Sequence, residues 1–246
     1  MGEPIAKLPI TKQANSVIVE WVGLPGAGKT TVSQAVYSKF KAQDFIIVLR
    51  EDILKQWHRK NYVQQIIQLR PDNLNHWAVL RSSIVFAGRV KPINLQSFFR
   101  AWRIFSNIKR IDIAARTRDN SILLLDQGWI QEVWSVCISG VPPRSDHLKQ
   151  AMAPLFHNRK TLIIHCKTDI ETAFHRIQNR ETTESRFDLM ETDKAYTQLK
   201  KYHHYLQEII DCARTFDISV LELDSSRSIE EQSETAANWI AQHQST

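Results

Sequence analysis

Apolar positions in this chain follow two patterns. Five short runs, at 17–22, 45–49, 122–125, 161–165 and 218–223, are rich in Val, Ile and Leu and too brief for helices. Near-continuous apolarity, in place of strict alternation, marks strands covered on both faces, as in a parallel sheet. Between these runs apolar residues recur at helical spacing: Val32, Ala35, Val36 and Phe40 after the first, and Ile170, Phe174 and Ile177 after the fourth. Residues 193–214 read as one long helix, and Ile229, Trp239 and Ile240 mark a last one. Thr168 with Glu171, and Ser228 with Glu231, have the spacing of a capping box, in which two side chains satisfy the first N–H groups of a helix.

Strand and helix therefore alternate. The expected fold class is α/β: a doubly wound parallel five-stranded sheet with helices on both faces. The segment 53–118, between the second and third strands, departs from simple alternation. It predicts three helices, broken near Pro71 and Pro92, as a helical insertion on the substrate side. With no internal repeat, low-complexity stretch or free linker, residues 1–246 are expected to form a single domain.

The composition is ordinary for a globular protein, at 246 residues with 43% hydrophobic and 24% charged. No apolar run approaches the ~20 residues that cross a bilayer. The first fifteen residues lack the apolar core and cleavage site of a signal peptide. Cys137, Cys166 and Cys212 are odd in number and lack metal-ligand spacing, so they read as reduced thiols in a cytoplasmic protein. The net charge of +6 reads as a soluble surface with excess Lys and Arg, or as an attraction for polyanionic small ligands such as nucleotides. Its basic residues are spread along the chain without a nucleic-acid signature, so neither nucleic acid nor membrane is an expected partner.

The strongest chemical signal lies directly after the first strand. Gly23-Leu-Pro-Gly26-Ala27-Gly28-Lys29-Thr30-Thr31 fits G-x-x-x-x-G-K-[ST], with a strand before it and a helix after it. Its glycines let the backbone curl so that N–H groups converge on phosphate oxygens, and the helix adds the positive end of its dipole. Lys29 is expected to reach the β- and γ-phosphates, and the Thr30 hydroxyl to ligate magnesium. ATP and Mg2+ are the expected ligands. Trp21 reads as core packing.

Further candidates stand at the carboxyl ends of the later strands, where open α/β sheets bind ligands. Ile122-Leu-Leu-Leu-Asp126 ends in a carboxylate placed to organise the metal. Arg50, Glu51 and Asp52 follow the second strand: an acid there serves as a general base toward a hydroxyl, or simply opens the next helix. Arg103, and less strongly Arg100, is a candidate grip on an anionic acceptor. Arg176, Arg180 and Arg186 fall in a lid-like segment, 168–192, where guanidinium groups stabilise the spreading charge of phosphoryl transfer, or else face solvent with Glu171, Glu181 and Glu184 as partners. His203 and His204 read as solvated.

Taken together, the loop Gly23–Thr31, Arg50-Glu51, Arg103 ahead of Asp126-Gln127-Gly128, and Arg176 with Arg180 resemble the thymidylate-kinase-like and deoxynucleoside-kinase-like P-loop kinases. The resemblance runs loosely from Ser16 to the C-terminus, and only the loop is highly specific. It implies that Arg50 and Glu51 contact the acceptor, that the lid arginines embrace the transferred phosphate, and that 224–227 lies against adenine. The family's Asp-Arg pair is replaced here by Asp126-Gln127, which removes a phosphate-gripping charge and leaves Gln127 on the substrate side. The expected function is an ATP- and Mg2+-dependent kinase of a small molecule, such as a nucleoside, nucleotide or sugar derivative, with some preference for a hydroxyl-bearing acceptor. The sequence leaves the oligomeric state open, with a homodimer among the alternatives. The competing reading is a P-loop NTPase that acts as a switch or binding module without an acceptor.

Overall fold

The computed structural model describes residues 16–43, 45–90, 95–118, 120–138, 140–141, 144–157, 159–179, 187 and 190–244. Five strands, β1 (Val17–Val22), β2 (Ile47–Leu49), β3 (Ile122–Leu125), β4 (Lys160–Lys167) and β5 (Ser219–Asp224), form one parallel sheet in the order β2-β3-β1-β4-β5. The register pairs Val17 with Ile122 on one side and with Lys160 on the other. Each expected strand is present, with β2 shorter than its apolar run because Phe45 and Ile46 precede the ladder.

Side chains of β1 alternate between two cores, as the two-residue period of a strand requires. Val17, Val19 and Trp21 face α1 (Lys29–Lys41) and α10 (Ile229–Gln244) together with Ile122, Leu124, Ile164 and Leu223. Ile18 and Val22 face the larger helical layer, together with Leu123, Leu125 and Ile163. Trp21 is fully buried, as expected of a core residue.

Between β2 and β3 lie four helices, one more than the three expected. They are α2 (Arg50–His58), α3 (Tyr62–Gln68), α4 (Leu74–Arg89) and α5 (Leu95–Thr117). Asn61 makes the extra break, its side chain accepting from the Gln64 N–H at 2.9 Å to start a new helix. Two further helices, α6 (Trp129–Cys137) and α7 (Ser145–Phe156), were not legible as periodic segments. Seven of the nine α6 residues are buried, and its polar stripe of Gln131, Glu132 and Ser135 spans little more than one turn, too short to stand out. After β4 comes α8 (Ile170–Gln178), capped by Asp169 and not by Thr168: Asp169 accepts from the Thr172 N–H at 2.7 Å. Thr168 instead donates to the Ser225 hydroxyl at 2.6 Å. The second capping box forms as expected, with reciprocal 3.2 Å bonds between Ser228 and Glu231. The long helix is α9 (Thr192–Arg214).

A buried ionic network ties the helical layer to the sheet. Asp112 on α5 accepts from Arg159 through Nε at 2.7 Å and Nη2 at 2.6 Å, and bonds His76 Nε2 of α4 at 2.8 Å. His76 Nδ1 meets Asp72, which Lys109 also reaches at 2.6 Å. Arg159, just ahead of β4, also donates to the carbonyls of Pro154 and Leu155 at 2.9 Å, closing the end of α7. Burial pushes the Asp112 carboxyl up, but its bonds to Arg159 and His76 outweigh that and hold it at about 2. The folded value lies below the ordinary 3.8, so the ionised form stabilises the fold. That contribution, on the order of 2 kcal/mol, is complete above pH 4 and is lost as pH falls toward 2. Arg159→Met leaves the carboxylate buried without its bidentate partner. Urea denaturation at pH 7 is expected to show a loss of about 3 kcal/mol or more, and a loss below 1 kcal/mol would show the network to be dispensable.

Candidate functional site

The parallel sheet brings the ends of β1, β2 and β3 to one edge, and the expected site residues leave the strands there. Directly after β1 the chain turns through 23–28 into α1. Gly26 and Gly28 both have φ near +81°, a left-handed conformation that strains other residues. At Gly26 there is also no room, since a Cβ would lie 2.5 Å from the carbonyl oxygen of Ala173 on α8. The turn therefore packs directly against the helix after β4. Gly28 is the N-cap of α1 and offers no side-chain acceptor, so the first N–H groups of the helix remain available to an anion. Lys29 reaches back across the loop, with Nζ 2.8 Å from the Gly23 carbonyl and 2.9 Å from that of Leu24.

A cleft of about 540 Å³ opens in front of this loop. Lys29, Thr30 and Thr31 line one wall, Asp126 and Gln127 the end of β3, and Arg103 and Glu132 the helical side. The structure thus brings together the expected loop residues, the expected carboxylate and the expected Arg103, and adds Glu132. Arg103 Nη2 lies 2.8 Å from Glu132 Oε2, and Asn107 donates to Oε1 at 3.1 Å. Glu132 escaped the sequence analysis because α6 itself did; an acid six residues beyond Asp126 was the only trace.

The donor set suits a magnesium–triphosphate pair. Among the described residues no cluster of three or more His, Cys, Asp or Glu is arranged to hold a metal unaided. A divalent ion here would draw its oxygens from phosphates, the Thr30 hydroxyl and Asp126, as magnesium at triphosphates does. Among the described residues no cation pairs with Asp126, so its charge is uncompensated.

Behind Asp126 lies a carboxyl group that the sequence analysis did not single out. Glu20 sits mid-way along β1, fully buried, opposite Leu125. Oε1 accepts from the Gln131 N–H at 3.0 Å in the first turn of α6, while the buried Oε2 has no hydrogen-bond partner. Burial pushes its pKa up to about 8 against the pull of the nearby backbone N–H groups, which leaves it largely neutral at pH 7. Gly128 is required by contact: a Cβ there would lie 2.6 Å from Glu20 Oε2 and closer still to Cδ. Asp126-Gln127-Gly128 is thereby clamped onto the first strand. A lone acid in the run Val-Ile-Val-Glu-Trp-Val was the signal available.

The remaining candidates fall on either side. Arg50 opens α2 and lines a small notch with Arg110 and Gln127. Asp52 accepts from the Leu49 N–H at 3.3 Å, and Glu51 is exposed, 3.9 Å from Lys55, so both acids serve the start of α2. Neither lines the cleft. Across the loop, Arg176 donates to the carbonyls of Gly26 and Ser225, each at 3.3 Å, and lines a second hollow with Arg227. It bridges the phosphate loop to the turn after β5, which is where the resemblance places adenine. Arg180 and Arg186 lie outside the described residues, as does most of 180–189. His204 is exposed, 3.3 Å from Glu208.

A glycine-turned loop between parallel strand and helix, with an acid ending the neighbouring strand, defines a P-loop nucleotide-binding domain. More particularly, residues 18–204 match the family described as AAA domain, and the chain belongs to it. Comparison with curated proteins gives no match. Among solved structures, the chain resembles deoxyadenosine kinase from M. mycoides, solved with bound dATP. The likeness covers 91% of this chain and 99% of that one, with a TM-score of 0.51 at 15% identity. The fold is thus that of a deoxynucleoside kinase. Among the described residues no helix is long and apolar enough to cross a membrane.

The Glu20 clamp is open to direct measurement. Gly128→Ala is expected to lower the melting temperature and to displace Asp126. Glu20→Gln keeps the acceptor for Gln131 but cannot ionise. Because the folded value is raised, the stability contributed by the neutral carboxyl is complete below 4.5 and is lost as pH rises through about 8. The variant should therefore gain on the wild type steadily across that window in thermal melts. Parallel pH profiles would show that Glu20 is not the titrating group.

Proposed function

We propose that this protein is an ATP- and Mg2+-dependent phosphotransferase acting on a small-molecule acceptor. The observation that carries the reading is a single cleft with a triphosphate wall and an acceptor wall. The loop and α1 form the first; Arg103, Gln127 and Glu132 form the second. A binding module needs only the first. The fold shared with a deoxynucleoside kinase supports the same reading.

Each residue has a role that follows from its place. Backbone N–H groups at 26–30 hold the phosphates, and Lys29 exchanges two carbonyl partners for phosphate oxygens. Bound magnesium would neutralise developing charge on those oxygens, held by Thr30 and Asp126. Arg103, fixed by Glu132, which Asn107 also bonds, presents its guanidinium to the acceptor. Arg176 secures the loop against the turn at 225. Of the acids in question, only Asp126 and Glu132 line the cleft, so any proton leaving the acceptor goes to one of them and not to Glu51 or Asp52.

The test is a panel of acceptors with ATP and magnesium, read as ADP release. One acceptor class should raise release well above background. With it, Lys29→Ala and Asp126→Asn are each expected to lower kcat/KM by at least ~10²-fold without changing the melting temperature by more than a few degrees. Glu132→Gln should raise the acceptor KM more than it lowers kcat, because Arg103 loses its anchor. Full-rate hydrolysis with no acceptor would instead favour the switch-type NTPase.

We also propose a homodimer formed through α5. Leu95, Phe98, Phe99 and Trp102 recur at i, i+3, i+4 and i+7, and are 71%, 59%, 62% and 47% exposed. At ~200 Å² for each large side chain, these four present on the order of 500 Å², a contiguous apolar face of the size that marks an interaction site. Sedimentation at ~10 µM is expected to show a dimer that Phe98→Glu with Phe99→Glu converts to a monomer. A monomeric wild type would overturn the assembly.

A further inference from the structure

We propose that α3 docks this protein on an anionic lipid surface, lying in the plane of the interface with its apolar face turned into the bilayer. The helix, Tyr62-Val-Gln-Gln-Ile-Ile-Gln68, is amphipathic over its whole length. At 3.6 residues per turn Tyr62, Val63, Ile66 and Ile67 fall on one face, and Gln64, Gln65 and Gln68 on the other. Yet none of its residues is buried. The four apolar side chains are 77%, 63%, 50% and 58% exposed.

A helix of seven residues makes too few hydrogen bonds to persist in water on its own. This one is fastened by its polar groups. Asn61 and Gln64 form a reciprocal capping box, and Gln65 Nε2 donates to the Lys60 carbonyl at 2.9 Å. The Lys60 ammonium bonds Gln68, and only past the last turn does Leu69 enter the interior. Fastening of this kind holds the helix in place and leaves the apolar face turned outward.

The charge around that face decides what covers it. Residues 53–71 hold Lys55, Arg59, Lys60 and Arg70 and no acid at all, so basic residues that look scattered over the whole chain are locally unopposed. Of the four, only Lys55 nears an acid among the described residues, Glu51 at 3.9 Å. Arg59 and Arg70 are exposed at opposite ends of the helix. A second copy of the chain would set four more positive charges against these, and like charges oppose docking. An apolar protein groove would take the side chains but leave the cations unanswered. Acidic lipid headgroups above an acyl interior answer both. Aliphatic and tyrosyl side chains enter the boundary, while Lys and Arg stay among the phosphates. Docking in the plane of the interface needs no spanning helix, and among the described residues there is none.

Co-sedimentation of the full chain with lipid vesicles tests the assignment. One set is phosphatidylcholine alone, and in the other ~30% of the lipid is phosphatidylserine. The wild type should bind the second at least ~10-fold more tightly than the first, and ~0.5 M NaCl should weaken that binding. Ile66→Gln with Ile67→Gln removes apolar contact, and Arg59→Gln with Arg70→Gln removes charge; each pair should lower the affinity at least ~10-fold. Because these side chains are exposed, both pairs should melt within a few degrees of the wild type, which separates lost docking from lost folding. Lys200→Gln with Lys201→Gln makes the same charge change at exposed positions of α9 and should leave binding unchanged. An equal loss in that control would reduce the effect to net charge, and full binding by the isoleucine pair would exclude insertion; either result overturns the proposal. A wild type that ignores both vesicles overturns it too. Self-association abolished by Ile66→Gln with Ile67→Gln would then give the face to a second copy, and its absence would leave the face to an acidic protein.

Discussion

A carboxyl group in the middle of a buried parallel strand has few ways to be satisfied. The ladder already uses the backbone partners on both sides, and the layers above and below are apolar. Glu20 meets this constraint by half: Oε1 accepts the Gln131 N–H in the first turn of α6, while Oε2 stays buried without a partner, packed against Gly128. That demand places Gly128 within van der Waals limits of β1, and Gly128 in turn sets the path of the two residues before it, Gln127 and Asp126. It also sets the start of the helix that carries Glu132. The acid at the end of β3 and the acid on the acceptor wall thus both hang from one hydrogen-bonded contact beneath the cleft. A neutral carboxyl does this without placing a second buried negative charge behind Asp126.

A similar economy holds on the opposite side of the loop. Gly26 lets α8 approach until its backbone touches the turn, and Arg176 then bonds the carbonyls of Gly26 and Ser225. The loop is gripped from behind by α8, and within it the Ala27 N–H donates to the Leu24 carbonyl at 3.1 Å. Such preorganisation matters because charge stabilisation in phosphoryl transfer depends on donors that do not have to reorient.

What was legible in the sequence follows from how each element is covered. Strands buried on both faces are runs of Val, Ile and Leu, and these located all five. Helices with one wet face, such as α1, α8 and α9, show a period. The helix α6 is only nine residues long and most of it is buried, so its short polar stripe of Gln131, Glu132 and Ser135 went unread, and Glu132 with it. The phosphate loop was legible because its backbone geometry demands particular residues at fixed spacing. Asp126 was legible only through that loop. Glu20 carries no local pattern; its role comes from its contact with Gly128, 108 positions away. Thr168 and Asp169 both satisfy a capping pattern, and only the path of the chain decides that Asp169 caps while Thr168 turns to Ser225.

The two walls of the cleft also differ in how they hold charge, and that difference bears on the chemistry. On the loop side, positive charge is met by backbone carbonyls that a phosphate displaces easily: Lys29 rests on Gly23 and Leu24. On the helical side, Arg103 is held by a full carboxylate, Glu132, at 2.8 Å, so it orients a ligand but offers little net charge. Beyond it, Arg50 and Arg110 stand without a described carboxylate. The acids at Glu51 and Asp52, which from sequence favoured a hydroxyl acceptor, stand at the start of α2 outside the cleft, so the two carboxylates that line it are Asp126 at the end of β3 and Glu132, already paired with Arg103.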